Sequence, residues 1–192
     1  MATEAPAGCE VTRLLVVDDL QPLGLNPWLC SGATFSPDKR HRYLLWRAWN
    51  HRPRVLWIML NPSTADESVE DPTIRRCIGY ARDWFFGGIW IANAFALRST
   101  DPYALYATAD QSYRIGPLND WILEQLVAHQ VEQGGPIVCA WGEHARKLYR
   151  DQRVLDIISR AGGQALCLHR TKGGAPGHPL YLRADAELRE YP

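Results

Sequence analysis

The chain is predicted to adopt an α/β fold: a three-layer sandwich around a four-stranded, mainly parallel central sheet, with an N-terminal β-hairpin added. Four short apolar runs, at residues 55–60, 89–93, 137–141 and 164–168, are too uniformly apolar for half-exposed strands. They suit strands covered on both faces of a parallel sheet. Helical patterns separate them, as βαβ units require. Three of the runs end on a polar or glycine signal, at Asn61, Asn93 and Gly142. That gathers these residues at the carboxyl edge, where open α/β sheets bind ligands.

Residues 1–30 read as an N-terminal extension, partly irregular, and residues 31–192 as a single α/β domain large enough for a real core. Ala33-Thr34-Phe35 and Tyr43-Leu44-Leu45-Trp46 flank the turn-forming Ser36-Pro37-Asp38-Lys39, which predicts an antiparallel hairpin. In the 55–60 run the strand must stop at Asn61, because Pro62 cannot continue a ladder. Asp71 suits an N-cap and Pro72 the first helical position, so a helix is expected to about Asp83, closed by Gly87-Gly88. Residues 117–133 form an amphipathic pattern with Ile122, Leu123, Leu126 and Val127 on one face. Gly134-Gly135-Pro136 breaks it before the third strand. Residues 143–149 and 154–160 are helical, and the fourth strand leads through a Gly/Pro-rich loop to His178.

Lys+Arg and Asp+Glu balance at 21 each. That argues against tight non-specific DNA binding and leaves room for a local basic rim. A hydrophobic share of 46% excludes a largely disordered chain. Trp46, Trp49, Trp57, Trp84, Trp90 and Trp141 fall in or beside predicted elements and read as core. The five cysteines are widely spaced with no C-x-x-C pair, which fits buried thiols in a reducing cytoplasm. No apolar run approaches about 20 residues, and the acidic, Ala-rich start does not read as a signal peptide. A cytoplasmic protein without membrane contact is expected. Neither composition nor motifs call for a metal or another cofactor, and they set no oligomeric state.

Two resemblances follow from the motifs. Ala33-Thr34-Phe35-Ser36, the run from Met59 to Asp66, Asp71-Pro72-Thr73, the run from Arg98 to Pro102, Trp141-Gly142 and His178-Pro179-Leu180-Tyr181 are similar to the signatures of the domain of unknown function 1643 family. That bacterial and phage family carries no established activity. A more distant resemblance, in the same order along the chain, is to the uracil-DNA glycosylase superfamily. Leu60-Asn61-Pro62-Ser63 resembles its water-positioning motif, and Ile91-Ala92-Asn93-Ala94 resembles the strand end whose Asn reads the base. Ala140-Trp141-Gly142-Glu143-His144-Ala145 and His178-Pro179 resemble its two later motifs. The chain departs from that pattern at Met59 and Ser63, where glycines are usual, and at Leu180-Tyr181, where Ser-Pro is usual. It also lacks the clustered cysteines of the iron–sulfur members.

The distant resemblance implies a uracil-DNA glycosylase-like fold and an N-glycosidic hydrolase acting on a modified base, with nucleic acid or a nucleotide as partner. Asn61 and His178 would be catalytic. An amide is too weak a base to ionise water but can hold one in line with the anomeric carbon. A His donor to the base oxygen stabilises developing charge by roughly 3 kcal/mol. Leu60, Pro62, Ser63, Asn93, Trp141, Leu180 and Tyr181 would bind substrate. Asn93 carries both a donor and an acceptor for a base edge, and Leu180 or Tyr181 could fill the gap left by a flipped base. Arg170, Lys172 and Arg183 surround His178 and are candidates for holding phosphates. Each has a plainer reading: turn former for Asn61, strand-end cap for Asn93, solvated loop for the basic residues. Two rival functions stay open. One is a binding module on the same fold without turnover. The other is metal-dependent phosphoester chemistry through Asp66, Glu67, Glu70 and Asp71.

Overall fold

Val55 to Met59 are apolar at every position and buried, and the backbone pairs on both sides, which makes this run the centre of the sheet. A computed structural model of the protein describes residues 31–63, 72–107 and 110–191. In chain order the strands are β1 (Ser31–Phe35), β2 (Arg42–Ala48), β3 (Arg54–Met59), β4 (Gly88–Asn93), β5 (Ile137–Ala140), β6 (Ala165–Cys167) and β7 (Arg189–Glu190). The helices are α1 (Pro72–Asp83), α2 (Ala104–Ala107), α3 (Gln111–Ile115), α4 (Asn119–Glu132), α5 (Gly142–Lys147) and α6 (Asp151–Arg160). The expected extension at residues 1–30, the Asp71 cap and the acids of 66–71 lie outside the described residues.

The sheet has seven strands in the order β1-β2-β4-β3-β5-β6-β7, not four. The four predicted strands are its parallel centre, β4-β3-β5-β6. The predicted hairpin is present, with Ser31 opposite Arg47. It extends the same sheet, because β2 pairs antiparallel with β4 through Leu45 opposite Ile91. At the other margin β7 pairs antiparallel with β6.

Strand alternation sorts the centre into two cores. Val55, Trp57 and Met59 face α1 and its Ile74, Cys77, Ile78, Tyr80 and Ala81. Leu56 and Ile58 face Ile122, Leu123, Leu126 and Val127 of α4 and Val154, Ile157 and Ile158 of α6. Helices therefore cover both faces of the sheet. The chain leaves α1 through Phe85, which has φ 64°, and Phe86 N–H donates back to the Ala81 carbonyl. Gly88 already belongs to β4, so the expected glycine stop comes later than the helix end. No helix among the described residues is long and apolar enough to cross a membrane.

The topology marks one place for a ligand. From β3 the chain passes along α1 to β4 on one side, then returns by α4 to β5 on the other side of β3. The connections after β3 and β5 thus leave on opposite faces, the arrangement at whose carboxyl ends open α/β sheets bind ligands.

Candidate functional site

Met59 lies opposite Asn93 in the β3–β4 register, and the ladder runs on past both strands. Ala94 N–H donates to the Met59 carbonyl at 2.7 Å and Phe95 N–H to the Leu60 carbonyl at 2.9 Å. Asn61 is therefore held just beyond the sheet at the switch point. Its side-chain nitrogen donates to the Ser99 carbonyl at 2.9 Å, with longer approaches to Pro62 at 3.3 Å and Leu97 at 3.5 Å. Three carbonyls fix which end of the amide is nitrogen, so Oδ1 is the end left to accept. Pro62 is buried and its carbonyl accepts from Ser99 N–H. Leu60 packs against the α4/α6-side core, and Ser63 is half-buried beside Pro62.

Asn93 is 2% exposed. By alternation it points to the same face as Met59, toward α1. Its main chain is held firmly. Asn119 Nδ2 donates to the carbonyls of Asn93 and Ala94 at 3.0 and 3.1 Å, and Arg150 Nε donates to Ala94 at 2.7 Å. Arg150 is itself 2% exposed and paired with Asp120, which also takes Arg153 at 2.9 Å. Burial alone raises the Asp120 pKa, but the two guanidinium groups more than offset it and hold the carboxyl below its ordinary range. Gly116, at φ 91°, makes the turn that starts this supporting helix, between the side chains of His41 and Ala96.

His178 opens a short 3-10 turn, Pro179–Tyr181, that packs on α1 and so on the same sheet face as Asn93. Arg76 and Tyr80 of α1 bond to the carbonyls of Leu182 and Arg183 just after it. His178 Nδ1 accepts from Leu180 N–H at 3.4 Å. In a neutral imidazole that places the proton on Nε2, making it the donor. Leu180 and Tyr181 stand out from this turn, 37% and 81% exposed.

The remaining predicted residues are distributed more widely. Trp141 is 1% exposed and meets Tyr191 edge to face, with centroids 5.9 Å apart. It shares the α4/α6 side with Ile137 and Cys139, so it is core packing on the face opposite Asn93. Arg170 is turned to the β7 margin, where it donates to the Glu190 carbonyl and covers the Tyr191 ring. Arg183 is paired with Asp185 two residues on. Lys172 is exposed in the loop that packs on α5. A cavity of about 420 Å³ on α5 and the start of α6 is lined by Glu143, Arg146, Lys147 and Tyr149, not by the two asparagines or His178. Among the described residues no group of three His, Cys, Asp or Glu side chains could hold a metal ion.

Two features escaped the sequence. Asn119 and Arg150 look like ordinary helix-end residues until their distant carbonyl partners are seen. Tyr103, Tyr106 and His144 form an exposed cluster with ring centroids 5.3–6.1 Å apart. The only hint was Tyr at two positions three apart on a short helical turn.

The model of a family described as protein of unknown function (DUF1643) matches residues 42–180. No curated protein and no solved structure matches the chain.

Proposed function

Since the chain belongs to the DUF1643 family, whose description assigns no activity, we propose a function from the site itself: hydrolysis of the N-glycosidic bond of a modified base, in nucleic acid or a nucleotide. The observation that carries this reading is the pairing of Asn61 and Asn93 at adjoining carboxyl ends beside the switch point. One amide is anchored through its nitrogen, and the other is buried at the end of the neighbouring strand. The order of the glycosylase-like motifs along the chain supports it as well.

In this reading Asn61 Oδ1 accepts from a water and holds it in line with the anomeric carbon. The water oxygen bonds to that carbon as the carbon–nitrogen bond breaks, the electron pair leaves with the base, and the proton the water sheds passes through solvent to the base anion. His178 Nε2 donates to the base oxygen as negative charge grows there. Asn93 reads the base edge with one donor and one acceptor. Leu180 and Tyr181 occupy the space a flipped base vacates. Incubation with a panel of modified DNA, RNA and nucleotides is expected to release a free base, and Asn61→Ala is expected to abolish that release. No release from any member of the panel overturns the hydrolase.

A second reading has its own observation. Asn61 and His178 both serve local structure, one tying down the 97–99 segment and the other capping its turn. The same residues in a binding module would hold a base or nucleotide without turnover. Asn93→Ala would then abolish ligand binding while the wild type releases no base.

A further inference from the structure

Tyr103, Tyr106 and His144 stand on the same carboxyl edge as Asn61, in an arrangement that costs solvation and that no fold requirement explains. Tyr103 is 67% exposed and Tyr106 40%, whereas Leu105 between them is fully buried. Leu105 therefore anchors α2 while the two tyrosines are presented outward, and Arg114 closes the helix by donating to the Leu105 carbonyl at 2.8 Å. His144 joins them from α5, edge-on to both rings, with Nδ1 3.1 Å from the Tyr106 hydroxyl. The cluster is tied to the site by a continuous run of hydrogen bonds. Asn61 holds Ser99, the Ser99 hydroxyl bonds the Asp101 carbonyl, and Asp101 Oδ1 accepts from Tyr103 N–H. Ser99 and Tyr103 are four positions apart, a span of at most about 14 Å.

Exposed cations stand on the helix that carries His144 and on the loop packed against it. Arg146 and Lys147 are exposed on α5, and Lys172 is exposed on the loop against that helix. Glu143, which accepts from the Thr171 hydroxyl, and Asp101, which accepts from Tyr103 N–H, are the acids on the same elements and keep their charge. Exposed aromatic faces beside backbone-tracking cations are how proteins hold unpaired bases without reading their sequence. What sets this cluster apart from a protein-docking patch is its continuity with the proposed base-acting site along the run from Asn61 through Ser99 and Asp101 to Tyr103.

We propose that Tyr103, Tyr106 and His144 form a stacking platform for the unpaired bases of single-stranded nucleic acid, flanking the nucleotide held at Asn61 and Asn93. This builds on the proposed base-acting site and names its substrate class as single-stranded. The full-length protein is titrated against a labelled thymidine homopolymer of about twelve nucleotides and against the matching duplex. The single strand is expected to bind more tightly than the duplex. Tyr103→Ala and Tyr106→Ala are each expected to weaken it about tenfold, and Tyr103→Phe to retain it, since the ring and not the hydroxyl stacks. Circular dichroism checks that the alanine variants fold. Equal affinity for strand and duplex, or alanine variants that bind as the wild type does, overturns the platform. Tyrosine-dependent strand binding without base release overturns the hydrolase and leaves the platform standing. Base release without tyrosine-dependent strand binding does the reverse.

Discussion

Asn119 donates to the main-chain oxygen of Asn93 across 3.0 Å, so a helix on one face of the sheet holds the strand end whose side chain points to the other. Asn119 is fully buried, and its own Oδ1 has no partner among the described residues. Asn119→Ala leaves the Asn93 carbonyl short of a partner, at a cost of about 1–3 kcal/mol. A thermal melt should fall by about 2–4 °C per kcal/mol for a chain of this size. An unchanged melting temperature would falsify the bracing role.

Arg150 adds a pH dependence to the same brace. The Asp120 carboxyl is held below its ordinary value of about 3.9, so its pairing stabilises the fold above that value. The contribution is lost as pH falls through the folded-state value. Asp120→Asn should therefore be less stable than the wild type in urea at pH 7, and the gap should narrow as pH falls below the ordinary carboxylate value of about 3.9. A gap that stays constant over that range means the carboxylate is not the titrating partner.

At the alkaline end Tyr191 gives the opposite sign. Burial pushes its hydroxyl up to about 12. The folded state keeps the proton that the unfolded chain releases near about pH 10, so this stabilisation is complete below that value and disappears as pH rises toward 12. Tyr191→Phe should flatten the loss of stability between about pH 10 and pH 11.5. If the variant and the wild type lose stability in parallel there, Tyr191 is not the source.

Asn61 offers a discriminating pair of substitutions. Asn61→Ala removes one donor from the Ser99 carbonyl. Asn61→Asp places a carboxylate against the carbonyls that the amide now bridges, and costs about 1–3 kcal/mol more. Chemical denaturation should rank wild type above Ala above Asp. Asp equal to or above Ala would show that the amide nitrogen is not what holds the 97–99 segment.

Much of the parallel centre was legible because local pattern and tertiary role agree there. Pro72 starts α1 and Asp83 ends it as expected, and Ile122, Leu123, Leu126 and Val127 all turn inward. β7 was not legible. Arg189 and Glu190 are charged and exposed, and they form a strand only because β6 offers an unpaired edge. The hairpin's place beside β4 was likewise hidden, since a strand pattern names no neighbour. α2 and α3 are too short to show a helical period. At the site, Trp141 follows the core reading given to the tryptophans, although it sits next to the Gly142 strand-end signal. Its parity with Ile137 and Cys139 sends it to the other core. Asn119 and Arg150 could not be found at all, because their partner is a backbone carbonyl 25 and 56 positions away.

The anchored amide of Asn61 also acts as a directional filter. With its nitrogen facing the chain's own carbonyls, the group turned outward can only receive a proton. Phosphate oxygens, carboxylates and bare carbonyls have none to give and meet an electron-rich atom there. Water, hydroxyls and amines fit. In the proposed reading, the atom that rests against Asn61 arrives as a hydrogen-bond donor.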